Sequence, residues 1–269
     1  MFFAFIRIKS YAYKKRMGGI SMNKVIETLK NHRSIRKYTN EHVSEEYLSA
    51  IVEAVQAAPS WVNGQQVSII CVKDEQKKKK LSELVGNQKF VDEAPVFFVF
   101  CADFYRSSLA AEKEGLTLAI EEDVDFLLVG ATDVGLALGN AITAAESFGL
   151  GCVPIGGIRR NSLEVIDLLE LPKYVIPISG LCIGYAAENP VKKLRFPKEA
   201  VLHTETYNSN LKEILDTYDE QMEQHTSKHS NGQTKTNWST RIGTLYSKPY
   251  YQNVAEMLKQ QGYNCKNMN

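Results

Sequence analysis

The pattern of apolar residues along the chain predicts many helices and a few short strands. Strands are predicted where β-branched and aromatic residues run together, at 67–72, 95–102, 153–158 and 175–184. Apolar residues at helical spacing, often after a capping side chain, predict helices at 23–31, 44–58, 74–84, 107–122, 125–148, 161–169, 208–225 and from 254 onwards. Because helices outnumber the short, scattered strands, the pattern favours an α+β fold over a regular alternation of strand and helix.

The predicted helix at 125–148 differs from the others because it is nearly apolar throughout and rich in alanine and glycine. Gly130, Gly135 and Gly139 recur along it. Since residues without bulky side chains let backbones approach closely, we predict a packed central helix at a subunit interface. No window of the chain offers 18 or more continuous apolar residues, so no membrane-spanning helix is predicted.

Residues 1–21 do not continue the pattern of the rest of the chain. An apolar stretch at 1–8 precedes a basic stretch at 9–16, which reverses the order of charge and apolar core in a signal peptide. The codons for 17–22 can contain GGAGG a few bases before an ATG, and Met22 would then be the start of translation. We therefore expect residues 1–21 to contribute little to the fold and residues 22–269 to form a single domain.

Charge and cysteine content exclude several classes of protein. The 32 basic and 31 acidic residues leave a formal charge of +1, which gives no sign of a nucleic acid or an acidic membrane as partner. The five cysteines are widely spaced, form no CxxC pair, and four lie in apolar runs, which is typical of buried, reduced thiols in a cytoplasmic protein. The five histidines have no metal-binding spacing, and the chain has neither a P-loop nor a GxGxxG motif after a strand.

Residues 32–36 combine two guanidinium groups, an imidazole and a hydroxyl within one short segment. Arginine presents a planar fork of donors that matches phosphate oxygens, so this segment is a candidate site for a phosphate monoester. A solvated basic turn is the alternative for such a segment taken alone. A second basic pair, Lys193 and Arg195, follows the last predicted strand and suggests one phosphate bound from two sides. Gly156 and Gly157 end another strand, where the missing Cβ atoms would let a flat ligand approach the backbone.

These features lie in motifs whose order resembles that of the flavin-dependent nitroreductase family. The motifs are HRSIRKY at 32–38, CADFYR at 101–106, AAESFGLGCVPIGGIR at 144–159, GLCIGYAAENPVKKLRFP at 180–197, TYN at 206–208, and YDEQ at 218–221 followed by Trp238-Ser239. The resemblance covers about residues 22–264 and is nearest to the NADPH nitroreductases and the flavin reductase P type enzymes. It implies a small, mainly antiparallel central sheet flanked by helices, and a homodimer with an intertwined C-terminal extension. It also favours the phosphate site over the solvated turn.

The resemblance implies FMN as the cofactor and assigns residues to each of its parts. The ribityl chain and phosphate would be held by His32, Arg33, Ser34 and Arg36, and from the other side by Lys193 and Arg195. Ser60 would contact the flavin across the dimer interface, and Gln88 would hydrogen-bond the isoalloxazine ring. The residues along the ring would be Pro154, Ile155, Gly156 and Gly157, with the backbone of the last three near N5, where the hydride enters.

Three departures from the family's pattern bear on substrate binding. Trp61 and Val62 replace part of a serine-rich turn, and Pro154 replaces a frequent tyrosine and removes a backbone donor. Relatives carry arginines for the 2′-phosphate of NADPH in the loop at about 225–237; here that loop has no arginine and offers Lys228, His229 and Lys235. Because lysine cannot make the bidentate contact, we expect an NADPH preference that is weaker or differently seated than in arginine-bearing relatives.

The activity implied by the resemblance is ping-pong hydride transfer from NADPH, through flavin N5, to a nitroaromatic, a quinone or free flavin. The chemistry would take place on the flavin, with no catalytic side chain and no metal. The expected partners are small-molecule acceptors and a second copy of the chain. Two alternatives remain open. One is a dedicated flavin reductase that supplies reduced FMN to a partner monooxygenase, and the other is a phosphate-ligand binder without flavin.

Overall fold

A computed structural model describes residues 23–268 of the chain. Residues 1–21 and Met22, about which the sequence raised expectations, lie outside the described range. At the centre is one antiparallel sheet of four strands, β1 (Val67–Val72), β2 (Val96–Asp103), β3 (Gly151–Ile155) and β4 (Val175–Gly184), in the order β1-β2-β4-β3. β2 is buried along its whole length, as its continuous apolar run requires for a strand covered on both faces. The prediction of a small antiparallel sheet in an α+β fold is confirmed.

Ten helices surround this sheet within residues 23–268. They are α1 (Lys24–Asn31), α2 (Glu45–Gln56), α3 (Glu75–Leu84), α4 (Lys89–Glu93), α5 (Tyr105–Lys113), α6 (Asp125–Ser147), α7 (Ser162–Leu168), α8 (Lys212–His229), α9 (Trp238–Tyr246) and α10 (Val254–Gln260). Several begin at a side chain that accepts a hydrogen bond from the first turn: Asn23, Ser44, Asp74 and Asn237. Such caps satisfy backbone donors that have no partner within the helix.

The structure corrects several of the predicted elements. The strand predicted at 153–158 ends at Ile155, and Gly156–Arg159 forms a 3-10 turn. The helix predicted at 107–122 ends at Lys113, and α8 continues four residues beyond the predicted end at 225. The pattern missed α9, and it missed α4, whose five residues are too few to show clear periodicity.

Helix α6 is the long helix of the core. Its buried face includes Gly130, where an added Cβ would come within 2.8 Å of the Ala102 Cβ, so the glycine allows close approach to β2. Leu128 and Leu136 on its other side are 62% and 43% exposed. Among residues 23–268, α6 is the one helix with the length and apolar composition to cross a membrane. A core helix meets the same two criteria, and α6 packs against α2 and the sheet.

The cysteines follow the expected burial only in part. Cys101, Cys152 and Cys182 are buried, and burial is the main cause that raises the pKa of each thiol. Cys71 is exposed, because it lies on β1, the outer strand of the sheet. The prediction that Cys71 is buried is therefore wrong for a single chain.

Candidate functional site

Residues 32–36 lie beside the outer edge of β3. The Ile35 amide donates to the Cys152 carbonyl over 3.0 Å, and Ser34 forms an isolated parallel bridge with Cys152. Ile35 is buried and anchors the segment.

The same outer edge of β3 explains why Pro154 is tolerated. Alternate residues of a strand direct their backbone groups to the same side, so the Pro154 nitrogen faces away from β4 and its missing N–H costs no bond to that strand.

His32 is held by a carboxylate at the end of α6. Its Nδ1 lies 2.6 Å from Glu146 Oε1, and both side chains are largely buried. Burial raises the pKa of Glu146, and the hydrogen bond from His32 acts in the opposite direction. This pairing fixes the ring of His32 and leaves Nε2 as the imidazole nitrogen opposite the carboxylate.

Arg36 lies on a different side of the segment from Arg33. The guanidinium of Arg36 is 5.9 Å from the ring centre of Phe90 in α4, and its backbone amide donates to Glu188 over 2.6 Å. Arg33 instead lines a separate cavity with three acidic side chains, Glu27, Glu146 and Glu188. The side chains of Arg33 and Arg36 therefore have different surroundings, and the assignment of both residues to the ribityl chain and phosphate of FMN stays a prediction. In an extended segment, successive side chains point to opposite sides, so residues three positions apart face different ways.

The segment carrying Lys193 and Arg195 is positioned by the C-terminal helices. The Tyr218 hydroxyl of α8 donates to the Leu194 carbonyl over 3.0 Å. Phe196 packs on the Tyr218 ring at 4.1 Å between centres, and the Trp238 ring of α9 meets its edge at 4.9 Å. The loop is thus fixed between two helices rather than free in solvent.

Lys193 lies close to several other cations. Burial lowers the pKa of Lys193, and the charges of Arg36, Arg241 and Arg195 lower it further. Arg36 and the pair Lys193–Arg195 are therefore neighbours, as the sequence predicted. Arg241 was not predicted, although it follows the Trp238-Ser239 pair by only two positions.

Gln88 and the glycine pair form one continuous surface. Gln88 Nε2 donates to the Val85 carbonyl over 2.7 Å. A Cβ on Gly157 would lie 2.5 Å from the Val85 carbonyl oxygen and 2.7 Å from Gln88 Nε2, so the turn can pack here only as glycine. A Cβ on Gly156 would meet nothing closer than Arg159 at 3.7 Å, which leaves the surface at Gly156 open. This surface continues to Arg36 through α4, which carries Phe90 two positions after Gln88.

Ser60 lies far from residues 32–36 within one chain. The amide of the next residue, Trp61, donates to both carboxylate oxygens of Asp133 over 3.2 and 3.3 Å. Asp133 and Glu146 both belong to α6, about 20 Å apart along the helix axis at the standard rise per residue. Since Glu146 binds His32, Ser60 is separated from residues 32–36 by roughly this length.

The loop that carries Ser60 is strained and is held by Arg106. Three non-glycine residues in it have left-handed backbone conformations, Val62, Asn63 and Gln65, with φ of 46°, 56° and 52°. The Arg106 guanidinium donates to the carbonyls of Gln65 and Val67, and it binds Asp103 Oδ2 at 2.8 Å. Arg106 is the last residue of the CADFYR motif, so the motif included this residue without indicating its role.

The three residues predicted to bind NADPH do not line the cavity that contains Arg241. Lys228 and His229 belong to the last turn of α8 rather than to a loop. Lys235 forms an ion pair with Glu223 at 3.0 Å. The cavity is instead lined by Lys193, Leu194, Arg195, Phe196, Tyr218, Met222, His225, Thr226, Thr236, Trp238 and Arg241.

The residues present fit a flavin mononucleotide. Among the ion pairs formed within residues 23–268, none involves the side chains of Arg36, Lys193, Arg195 or Arg241; the nearby Glu188 carboxylate accepts from the Arg36 backbone amide instead. Converging arginine and lysine side chains that form no ion pair are suited to a phosphate dianion. The open surface at Gly156 gives a flat ring a place to lie against the backbone.

Two family models match this chain. The Nitroreductase family matches residues 29–185, and the Nitroreductase family, C-terminal domain, matches residues 193–266. The chain belongs to the nitroreductase family, which confirms the resemblance seen in its motifs. FMN reductase (NAD(P)H) of Bacillus subtilis (strain 168) is 51% identical over 90% of this chain and 98% of its own length. Oxygen-insensitive NADPH nitroreductase of Salmonella typhimurium is 39% identical over 90% of this chain and 99% of its own. The solved structure of B. megaterium NfrA2 superposes with a TM-score of 0.88, at 51% identity, over 90% and 98% of the two chains.

Proposed function

We propose that this chain is an NAD(P)H-dependent FMN oxidoreductase that reduces small-molecule acceptors. The observation that carries the proposal is the cluster of Arg36, Lys193 and Arg195 next to the open surface at Gly156. The cationic cluster suits the phosphate of FMN, and the open surface suits its ring. The names of the relatives, FMN reductase and NADPH nitroreductase, support the same activity.

The protein's part in this reaction is binding and orientation. When bound, FMN supplies the redox chemistry, in which a hydride is accepted from the donor and passed to an acceptor. Arg36, Lys193 and Arg195 would hold the phosphate, and Gln88 and the 156–157 backbone would orient the ring. Since donor and acceptor use one open surface in turn, kinetics should be ping-pong, with nitroaromatics, quinones or free flavin as acceptors.

We further propose that the enzyme is a homodimer with an intertwined C-terminal extension. Two observations support this proposal: Ser60 lies about 20 Å from His32 along α6, and α6 exposes Leu128 and Leu136. A second copy that covered this apolar side could bring its Ser60 to the flavin of the first. Exposed Val201, Leu202 and Tyr207 in the extension offer apolar side chains for the same contact. We place the enzyme in the cytoplasm, in keeping with its buried free thiols.

Purification and turnover would test the function directly. We expect a yellow protein with flavin absorbance that oxidises NADPH when nitrofurazone is supplied. The same assay with free FMN as acceptor separates the two reductase activities, since a dedicated flavin reductase would turn over free FMN but little nitrofurazone. A protein that binds no FMN under any condition would refute the proposal and favour a phosphate-ligand binder without flavin.

Donor choice provides a separate measurement. With no arginine between residues 225 and 237, we expect kcat/KM for NADPH to exceed that for NADH by less than a thousandfold, which corresponds to about 4 kcal/mol. Steady-state rates with both donors at a fixed acceptor concentration would determine this ratio. A larger preference would show that the 2′-phosphate is recognised as strongly here as by a bidentate arginine pair.

A further inference from the structure

Arg241 is a cation of α9 that the proposed reaction has not yet used. It lines a cavity of about 360 Å³ together with Lys193 and Arg195. Three aromatic side chains form much of the wall: Phe196, Tyr218 and Trp238. Cations and aromatic rings around one cavity are the groups that bind a nucleotide, because phosphate pairs with the former and a base stacks on the latter.

The charges at this place exceed what one FMN phosphate can neutralise. Arg36, Lys193, Arg195 and Arg241 carry four positive charges, and all three arginines act on Lys193. A phosphate monoester brings at most about two negative charges at neutral pH. FMN alone would therefore leave excess positive charge, even when the Glu188 carboxylate at the Arg36 amide is counted. A second phosphate-bearing ligand would compensate this excess.

We propose that Arg241 binds a phosphate group of the incoming nicotinamide nucleotide and so sets the affinity for the donor. This inference rests on the proposed function. A guanidinium can grip phosphate with two parallel hydrogen bonds, which the lysines of the 225–237 loop cannot do. Among those lysines, Lys235 is already paired with Glu223. Arg241 supplies from α9 the arginine that this loop lacks.

The phosphate could be the 2′-phosphate of NADPH or the pyrophosphate common to NADPH and NADH. Both are phosphate groups, and the two donors distinguish them. If Arg241 binds the 2′-phosphate, its loss weakens NADPH alone. If it binds the pyrophosphate, its loss weakens both donors equally. Either result supports the role of Arg241 in donor binding.

The test compares Arg241→Ala with Lys235→Ala, both as FMN-loaded holoproteins. For Arg241→Ala we expect KM for NADPH to rise about tenfold to a hundredfold, with flavin content and kcat unchanged. For Lys235→Ala we expect a change below about twofold, since its charge is exposed and compensated. Calorimetric titration of the oxidised holoproteins with NADP⁺ and NAD⁺ should show the same loss of affinity without turnover. Arg241→Lys should recover only part of it.

Two outcomes would overturn the inference. If Arg241→Ala keeps its donor affinities, the residue does not bind the donor. If Arg241→Ala loses FMN during purification, its guanidinium belongs to the cofactor phosphate instead. Wild-type protein is measured in the same assays. If it oxidises NADPH, the proposed function holds, and either outcome then concerns Arg241 alone.

Discussion

Arg36→Ala is expected to lose most of its FMN during purification while the fold remains intact. The guanidinium lies next to Lys193 and over the Phe90 ring, so its removal takes away charge and a fixed donor fork at the phosphate. Charge-assisted hydrogen bonds contribute about 2 kcal/mol, which corresponds to roughly thirtyfold weaker binding. Flavin absorbance per mole of protein and titration of the apoprotein with FMN would measure the effect.

Lys37→Ala is the matched control for this variant. It removes a positive charge from the neighbouring exposed position, and only a small change in flavin content is expected. Thermal unfolding of the apoproteins should give similar midpoints, because Arg36 is exposed and takes no part in the apolar core. Full retention of flavin by Arg36→Ala would mean that residues 32–36 do not anchor the cofactor.

Arg106→Ala is expected to lower the free energy of unfolding by about 2 kcal/mol. Truncation leaves the buried carboxylate of Asp103 without its cation, and frees the carbonyls of Gln65 and Val67. A buried pair broken on one side can cost more, but the Arg106 side chain is half exposed, which reduces the loss. Urea denaturation of wild type and variant would measure the difference.

The same variant should also reduce activity, because Arg106 holds the strained loop that carries Ser60. Relaxation of Val62, Asn63 and Gln65 towards ordinary backbone angles would displace Ser60. We expect kcat/KM to fall in Arg106→Ala and to recover in part in Arg106→Lys, which can pair with Asp103 but cannot reach both carbonyls at once. A stable Arg106→Ala protein with wild-type kinetics would show that the loop keeps its conformation without this residue.

The long periodic elements could be predicted from the sequence because their pattern is local. β1 and β4 begin and end where predicted, and α6 ends one residue before. Two short helices were not predicted: α4 is too short for a clear period, and α9 depends on contacts distant in sequence. For α9, the deciding contacts are the two backbone amides that donate to Asp219, a residue on a different helix.

The sequence motifs of the candidate site could be predicted, but the orientations of its side chains could not. The sequence placed Arg33 and Arg36 in one cluster, but in the structure Arg33 lines a cavity with acidic side chains, whereas Arg36 lies over the Phe90 ring. It also overlooked Asp133 and Glu146, although acids in a nearly apolar helix are costly unless a donor meets them. Their partners, Trp61 and His32, lie far away in sequence, which is why the pattern gave no sign of them.

Helix α6 fixes the distance between two parts of the enzyme. One end fixes His32 through Glu146, and the loop of Ser60 is tied to Asp133 nearer the other end. A single residue inserted between these two acids would lengthen the helix by 1.5 Å and turn one attachment by about 100° relative to the other. We therefore expect an insertion or deletion between Asp133 and Glu146 to disrupt the enzyme. The short connection from α6 to β3 is constrained in the same way, because residues 32–36 contact both Glu146 and Cys152.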